Sequence, residues 1–296
     1  MPSKLTTWFP FSLPPQIISA PMLGVANARL ACAVSLAGGI GFIPAGFDFS
    51  SPSSPQLVTL EDELITAQEL FSSSFPSPGR RSGEDENGKE GGEGGFLQIG
   101  VGFILSHPSC ALFTTNVIPL LRKYKPRAIW LFAPHPDRPE GLLLEIINAI
   151  HQEGMVVFFQ VGTVHEAKSA VRDGADVVVA QGVDAGGHQS KSGSGVVSLV
   201  PEVRDAVGKE VVVVGAGGVS DGRGVAGVLA AGRRAFFSLS ALLIDGGRKG
   251  KVADVFPFFT YIIPLGFHPG CFVSPLMFSS ILPPFSIPFI PTHFTL

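Results

Sequence analysis

FFQVGTVHEAKSAVRDGADVVVAQGVDAGGH, residues 158–188, holds the alternation that decides the fold. The apolar run Val156–Val161 gives way to a segment of helical period, His165–Asp173, and then to a second apolar run, Val177–Ala180. Both runs are rich in Val and Phe without polar alternation, which predicts strands covered by helices outside and filled by side chains inside. Strand, helix and strand in that order predict a parallel pair. After the second run, QGVDAGGH turns on three glycines and leaves His188 at the mouth of the turn.

The same alternation extends in both directions. Further strands are predicted at Gln16–Ala20, Gly41–Pro44, Leu97–Phe103, Ala128–Phe132, Val211–Val214 and Ala235–Leu239. With the first two, that makes the number required by a (β/α)8 TIM barrel. In such a barrel the loops after the strands form the active face, so QGVDAGGH and the GAGG turn at 215–218 are expected on one rim. A helix is predicted over Thr59–Phe71, with Thr59 and Asp62 as a capping box. Residues 72–95, SSSFPSPGRRSGEDENGKEGGEGG, are Ser/Pro-rich and then charged and Gly-rich, and read as a disordered surface insertion. The expected organisation is a barrel domain over 1–254 interrupted by that insertion, followed by a tail over 255–296.

Composition narrows the partner. The chain has 296 residues, of which 45% are hydrophobic and 15% charged, with a net charge of -3. That is long enough for a sizeable core, and it carries no basic footprint for nucleic acid or for a membrane surface. A small molecule is the expected partner. Cys32, Cys110 and Cys271 are odd in number and widely spaced, which argues against a disulfide framework or a zinc site and for a reducing compartment. The N-terminal stretch MPSKLTTWFPFSLPP is interrupted by prolines and reads as no secretion signal. Cytoplasmic location is the expectation.

Residues 211–232, VVVVGAGGVSDGRGVAGVLAAG, run from a buried strand into a Gly-rich turn and a small-residue helix. Amides at such a turn, backed by a helix N-terminus, attract phosphate, and Gly217 and Gly218 are the candidates. The spacing does not match the dinucleotide fingerprint GxGxxG followed by an acidic residue.

Four ordered motifs carry a resemblance: APMLGVANARLACAVSLAGGIGFIPAG, the stretch 158–188, VSLVPEVRDAVG and the stretch 211–232. Together, from Gln16 to Gly232, they resemble the nitronate monooxygenase family, formerly the 2-nitropropane dioxygenases. The resemblance implies an FMN-dependent barrel that oxidises alkyl nitronates with O2 to a carbonyl compound and nitrite, without a metal. It implies His188 as the base that takes the α-proton of a neutral nitroalkane or positions the nitronate. It also implies flavin contacts at Gln181, Gly186 and Met22, and phosphate contacts at Gly217 and Gly218.

The chemistry of histidine agrees with that role, since its unperturbed pKa lies near the working pH and flanking glycines leave the ring accessible. The other histidines read as structural: His107 and His135 precede prolines, and His151 and His165 sit on predicted helices. Cys110 likewise reads as structural. The sequence departs from the family at two places. QIGVG puts Gly102 where the family usually has an Asn-type flavin contact. RRAFFSLSALL, laid over the family's GVVMGTRFL, puts Leu239 on the glycine and Ser240 on the threonine of the phosphate site, so the hydroxyl is kept while a side chain enters. Beyond Asp254 the tail has no Lys, Arg, Asp or Glu and is punctuated by prolines. It is read as no membrane span, and as a mis-spliced or frame-shifted replacement of the family's closing helices. Two other readings stay open: a flavin-dependent enoyl reductase, and a non-catalytic remnant that cannot hold FMN.

Overall fold

The protein, a computed structural model, is described over residues 4–74 and 95–232, with the backbone of 236–239. Its strands are β1 (Ile17–Ser19), β2 (Ile40–Gly46), β3 (Leu97–Ile104), β4 (Pro126–Phe132), β5 (Val156–Val161), β6 (Val177–Gln181), β7 (Val212–Ala216) and β8 (Phe236–Leu239). All pair in parallel in sequence order, and β1 pairs with β8 to close the barrel. The TIM barrel read from the sequence is the fold observed.

Alternation within each strand explains why the sequence lacks a polar face. In β4 and β5, Ala128, Trp130, Val156 and Phe158 join the inner cluster, whereas Ile129, Leu131, Val157 and Phe159 pack outward against the helices. Inside, the ring centroids of Phe42, Trp130 and Phe158 lie 5.2–6.0 Å apart, with Trp130 and Phe158 stacked nearly parallel at 9°. Burial of each such ring contributes about 1.5–3 kcal/mol. Helix α1 (Lys4–Trp8) closes one end: Leu5 and Phe9 belong to the inner cluster, and the Trp8 carbonyl accepts from Arg127 Nε at the start of β4, 2.8 Å away.

The outer layer comprises α2 (Ala28–Leu36), α3 (Pro55–Ser74), α4 (Phe113–Asn116), α5 (Ile118–Tyr124), α6 (Leu142–Gln152), α7 (Val164–Arg172), α8 (Val196–Val207) and α9 (Gly222–Ala231). Glycine sets how closely some of them approach. A Cβ at Gly41 would stand 2.0 Å from the Ala31 carbonyl oxygen, so α2 rests on the backbone of β2. Among the described residues, no helix is long and apolar enough to cross a membrane.

Two sequence readings are corrected. Helix α3 begins at Pro55, and Thr59 lies inside it with its hydroxyl donating to the Pro55 carbonyl at 2.8 Å. Thr59 and Asp62 therefore cap nothing, because the helix starts a full turn earlier, after Ser54. The same helix runs through Ser74, so residues 72–74, expected to open the insertion, continue the packed element. Residues 75–94 and the tail 255–296 lie outside the described residues.

Candidate functional site

Of the residues singled out from the sequence, Met22, Gln181, Gly186, His188, Gly217 and Gly218 end or follow strands and so lie on the C-terminal side of the barrel. Gln181 ends β6 and shares its inward face with Val177 and Val179, as the two-residue period of a strand requires. It is 9% exposed, and its Oε1 accepts from Gln160 Nε2 at 2.6 Å. Gln160, on the adjacent β5, accepts in turn from Trp130 Nε1 at 2.9 Å. Met22 follows β1, half-buried, and packs against both the inner cluster and the Ala26, Leu30 and Val34 cluster.

The loop between β6 and α8 is held at its base and open at its crest. The Gly182 amide donates to the Ala216 carbonyl of β7 at 2.8 Å, and the Val183 amide to Ser194 at 3.0 Å. The Asp184 carboxylate accepts from the Val196 amide at 3.1 Å, tying the loop to the first residue of α8. At the crest, a Cβ on Gly186 or Gly187 would meet nothing within 4 Å, and Gly187 takes φ +79, which favours glycine. His188 sits beside them, exposed. Below it, the Gln189 side-chain amide donates to the Ala185 carbonyl. The imidazole is thus carried on a short, braced loop and is accessible to a solute at the rim.

A second element braces that loop. Glu166, in the first turn of α7, accepts from the Gly162 amide with Oε2 at 2.7 Å and from the Ser190 hydroxyl with Oε1 at 2.8 Å. The Thr163 hydroxyl caps α7 by accepting from the Glu166 amide at 3.1 Å. The two loops touch closely, since a Cβ on Gly162 would stand 2.5 Å from that of Ser190.

Gly217 and Gly218 follow β7 with φ +107 and +65. A Cβ on Gly217 would lie 2.8 Å from the Ala185 Cβ, and one on Gly218 would lie 3.2 Å from the Asp184 side chain. The two glycine turns therefore lie against each other, as the barrel order required. No hydrogen bond to the amides of Gly217 or Gly218 is made among the described residues. A helix follows this turn as the sequence reading expects, α9 from Gly222, but its N-terminus is capped from within the chain. The first amides of α9 are already taken, because the Asp221 carboxylate accepts from Arg223 N at 2.9 Å and Gly224 N at 3.2 Å. The Arg223 guanidinium also pairs with it, and these contacts hold the carboxyl well down, to about 2.

Gly102, on β3, has its space filled from outside the strand: a Cβ there would stand 2.2 Å from Pro21 Cγ. Leu239 ends β8 in register with Ser19, and Ser240 lies outside the described residues. Both cysteines in the described region are buried, and burial raises their thiols, Cys32 to about 12.

Sequence reasoning passed over Gln160, Glu166 and Asp184. A signal existed for the first two. Gln160 is the one polar residue in the strand VVFFQV, and Thr163 with Glu166 has the T-x-x-E spacing of a capping box. Asp184 carries no such mark, because its partner Val196 is contributed by folding of the loop.

The profile of the nitronate monooxygenase family matches residues 136–246. The chain is 48% identical over 247 residues to a nitronate monooxygenase of Neurospora crassa, covering 78% of this chain and 60% of that protein. It is 32% identical to the Bacillus subtilis protein named "Probable nitronate monooxygenase", covering 79% of this chain and 67% of that one. The chain thus spans about 60% of the length of the Neurospora relative. Among solved structures, nitroalkane oxidase from Streptomyces ansochromogenes aligns with a TM-score of 0.56 at 25% identity, over 80% of this chain and 67% of its own. FabK from Thermotoga maritima aligns at 0.57 and 24% identity, over 81% and 61%, a likeness of fold.

Proposed function

The chain belongs to the nitronate monooxygenase family, and from that footing we propose that it oxidises alkyl nitronates with O2 to a carbonyl compound and nitrite, using bound FMN. One observation carries the reading: an exposed imidazole, a buried carboxamide and a pair of glycine amides, the last two with donors unpartnered among the described residues, all lie at the C-terminal rim of one barrel.

The residues present fit a flavin mononucleotide. Among the described residues the amides of Gly217 and Gly218 have no partner, which leaves them available to a phosphate. Gln181 keeps an amide nitrogen for an acceptor, and Met22 offers an apolar wall. Gly186 lets a ligand approach the crest without meeting a side chain. Bound there, FMN would supply the electron transfer between nitronate and O2.

The protein's own contribution is proton transfer and placement. His188 accepts the α-proton of a neutral nitroalkane and leaves the nitronate anion beside an imidazolium of opposite charge. A preformed nitronate needs no such transfer. His188→Asn therefore lowers kcat/KM for a neutral nitroalkane by about 10²–10⁴-fold, the range for a general base, while retaining FMN and sparing most activity on the preformed nitronate. Full activity of the variant on neutral nitroalkanes would refute the base assignment.

A further inference from the structure

One chain of side chains in the inner barrel has a fixed direction. The indole Nε1 of Trp130 can donate a hydrogen bond and never accept one. It donates to Gln160 Oε1 at 2.9 Å, so Gln160 turns its oxygen toward the tryptophan and its NH2 the other way. That NH2 donates to Gln181 Oε1 at 2.6 Å. Gln181 in turn has its oxygen committed and its NH2 pointing away from Gln160, with no partner for that nitrogen among the described residues. Reversing either carboxamide would set donor against donor or acceptor against acceptor next to Trp130 and Gln181, which are only 2% and 9% exposed. The direction therefore follows from the tryptophan.

From this we infer that Trp130 and Gln160 are positioning residues that fix Gln181 as a hydrogen-bond donor toward the ligand at the rim, so that the site selects a ligand with an acceptor atom there. The inference rests on the reading of Gln181 as a flavin contact. A donor on an acceptor atom of the flavin ring strengthens as electron density accumulates there, so the relay holds the bound flavin at a more positive potential than an undirected glutamine would.

Trp130→Phe removes the N–H and keeps the aromatic stack on Phe158. Gln160→Leu cuts the relay without adding charge. Gln160→Glu keeps an acceptor for Trp130 but offers no proton to Gln181, whose carboxamide then turns its oxygen to the ligand. The dissociation constant for FMN and the midpoint potential are measured on each purified holoprotein, alongside Gln181→Leu. Trp130→Phe and Gln160→Leu each weaken FMN by about fivefold, the scale of one net hydrogen bond, and move the potential negative, and Gln160→Glu moves both further. Wild-type affinity and potential in Trp130→Phe and Gln160→Leu, even with a lowered Tm or a shift confined to Gln160→Glu, would overturn the relay. If Gln181→Leu also leaves both unchanged, the flavin contact itself is wrong; if it alone shifts them, only the relay fails.

Discussion

Glu166 and Ser190 share a hydrogen bond of 2.8 Å that joins the first turn of α7 to the arm of the glycine loop just beyond His188. The other oxygen of the same carboxylate accepts from the Gly162 amide at 2.7 Å. One side chain on a rigid helix thus holds two adjacent rim loops, and the loop it reaches carries the imidazole two residues away. Catalytic geometry of this kind tolerates little displacement, because about 1 Å of misplacement can cost 10²-fold in rate.

Ser190→Ala removes the donor and leaves Glu166 on Gly162, so the barrel stays folded while the loop loosens. Turnover of a neutral nitroalkane falls by about tenfold, with FMN affinity near wild type. Glu166→Ala releases both loops and also costs about 1–3 kcal/mol in chemical denaturation. In a His188→Asn background the Ser190→Ala change adds little, since the positioned group is gone; full additivity in steady-state kinetics would show that Ser190 acts elsewhere.

Gly102 and Gly186, two glycines on the same side of the barrel, separate cleanly by geometry. A methyl group at Gly102 would sit 2.2 Å from Pro21 Cγ, whereas one at Gly186 would meet nothing within 4 Å. Gly102→Ala is destabilised by roughly 1–3 kcal/mol through overpacking, and Gly186→Ala stays within about 0.5 kcal/mol of wild type. Urea unfolding of the two variants side by side checks this, and equal midpoints would contradict it.

At the opposite end of the barrel, His151 Nε2 lies 2.9 Å from Asp176 Oδ2 at the end of α6. The hydrogen bond that the protonated ring donates to the Asp176 carboxylate outweighs partial burial and raises the imidazole above its ordinary value of 6.5. A group with a raised folded pKa contributes fully below the unfolded value and loses its contribution as pH climbs through the folded one. The stability gap between wild type and His151→Gln is therefore largest below about pH 6.5 and shrinks as the pH rises above it. A gap independent of pH in thermal unfolding would refute the pairing.

Most of the barrel was legible because a parallel strand buried on both faces cannot hide its composition. VVFFQV is β5 to the residue, VVVA runs on into Gln181, and the strand expected at Val211–Val214 is found at Val212–Ala216, starting one residue later and ending two later. Helix α3 was misplaced at its start because Thr59 and Asp62 imitate a capping box whose hydroxyl in fact bonds back to Pro55, within the helix. The turn after β7 was legible in its two glycines and the helix behind it in its small residues, but the cap of α9 was not, since D-G-R-G does not reveal that Asp221 will fold back on Arg223 and Gly224.

The sequence by itself determined the eight-strand alternation, the two glycine turns and the histidine between them, because period, β-branching and glycine act within a few residues of chain. Only the tertiary structure decided what surrounds them. Gln160 meets Gln181 and Trp130 across strands 21 and 30 residues apart in sequence, and Glu166 reaches Ser190 over 24 residues. Closure of the barrel brings these partners together, and their hydrogen bonds depend on distances that no local pattern encodes.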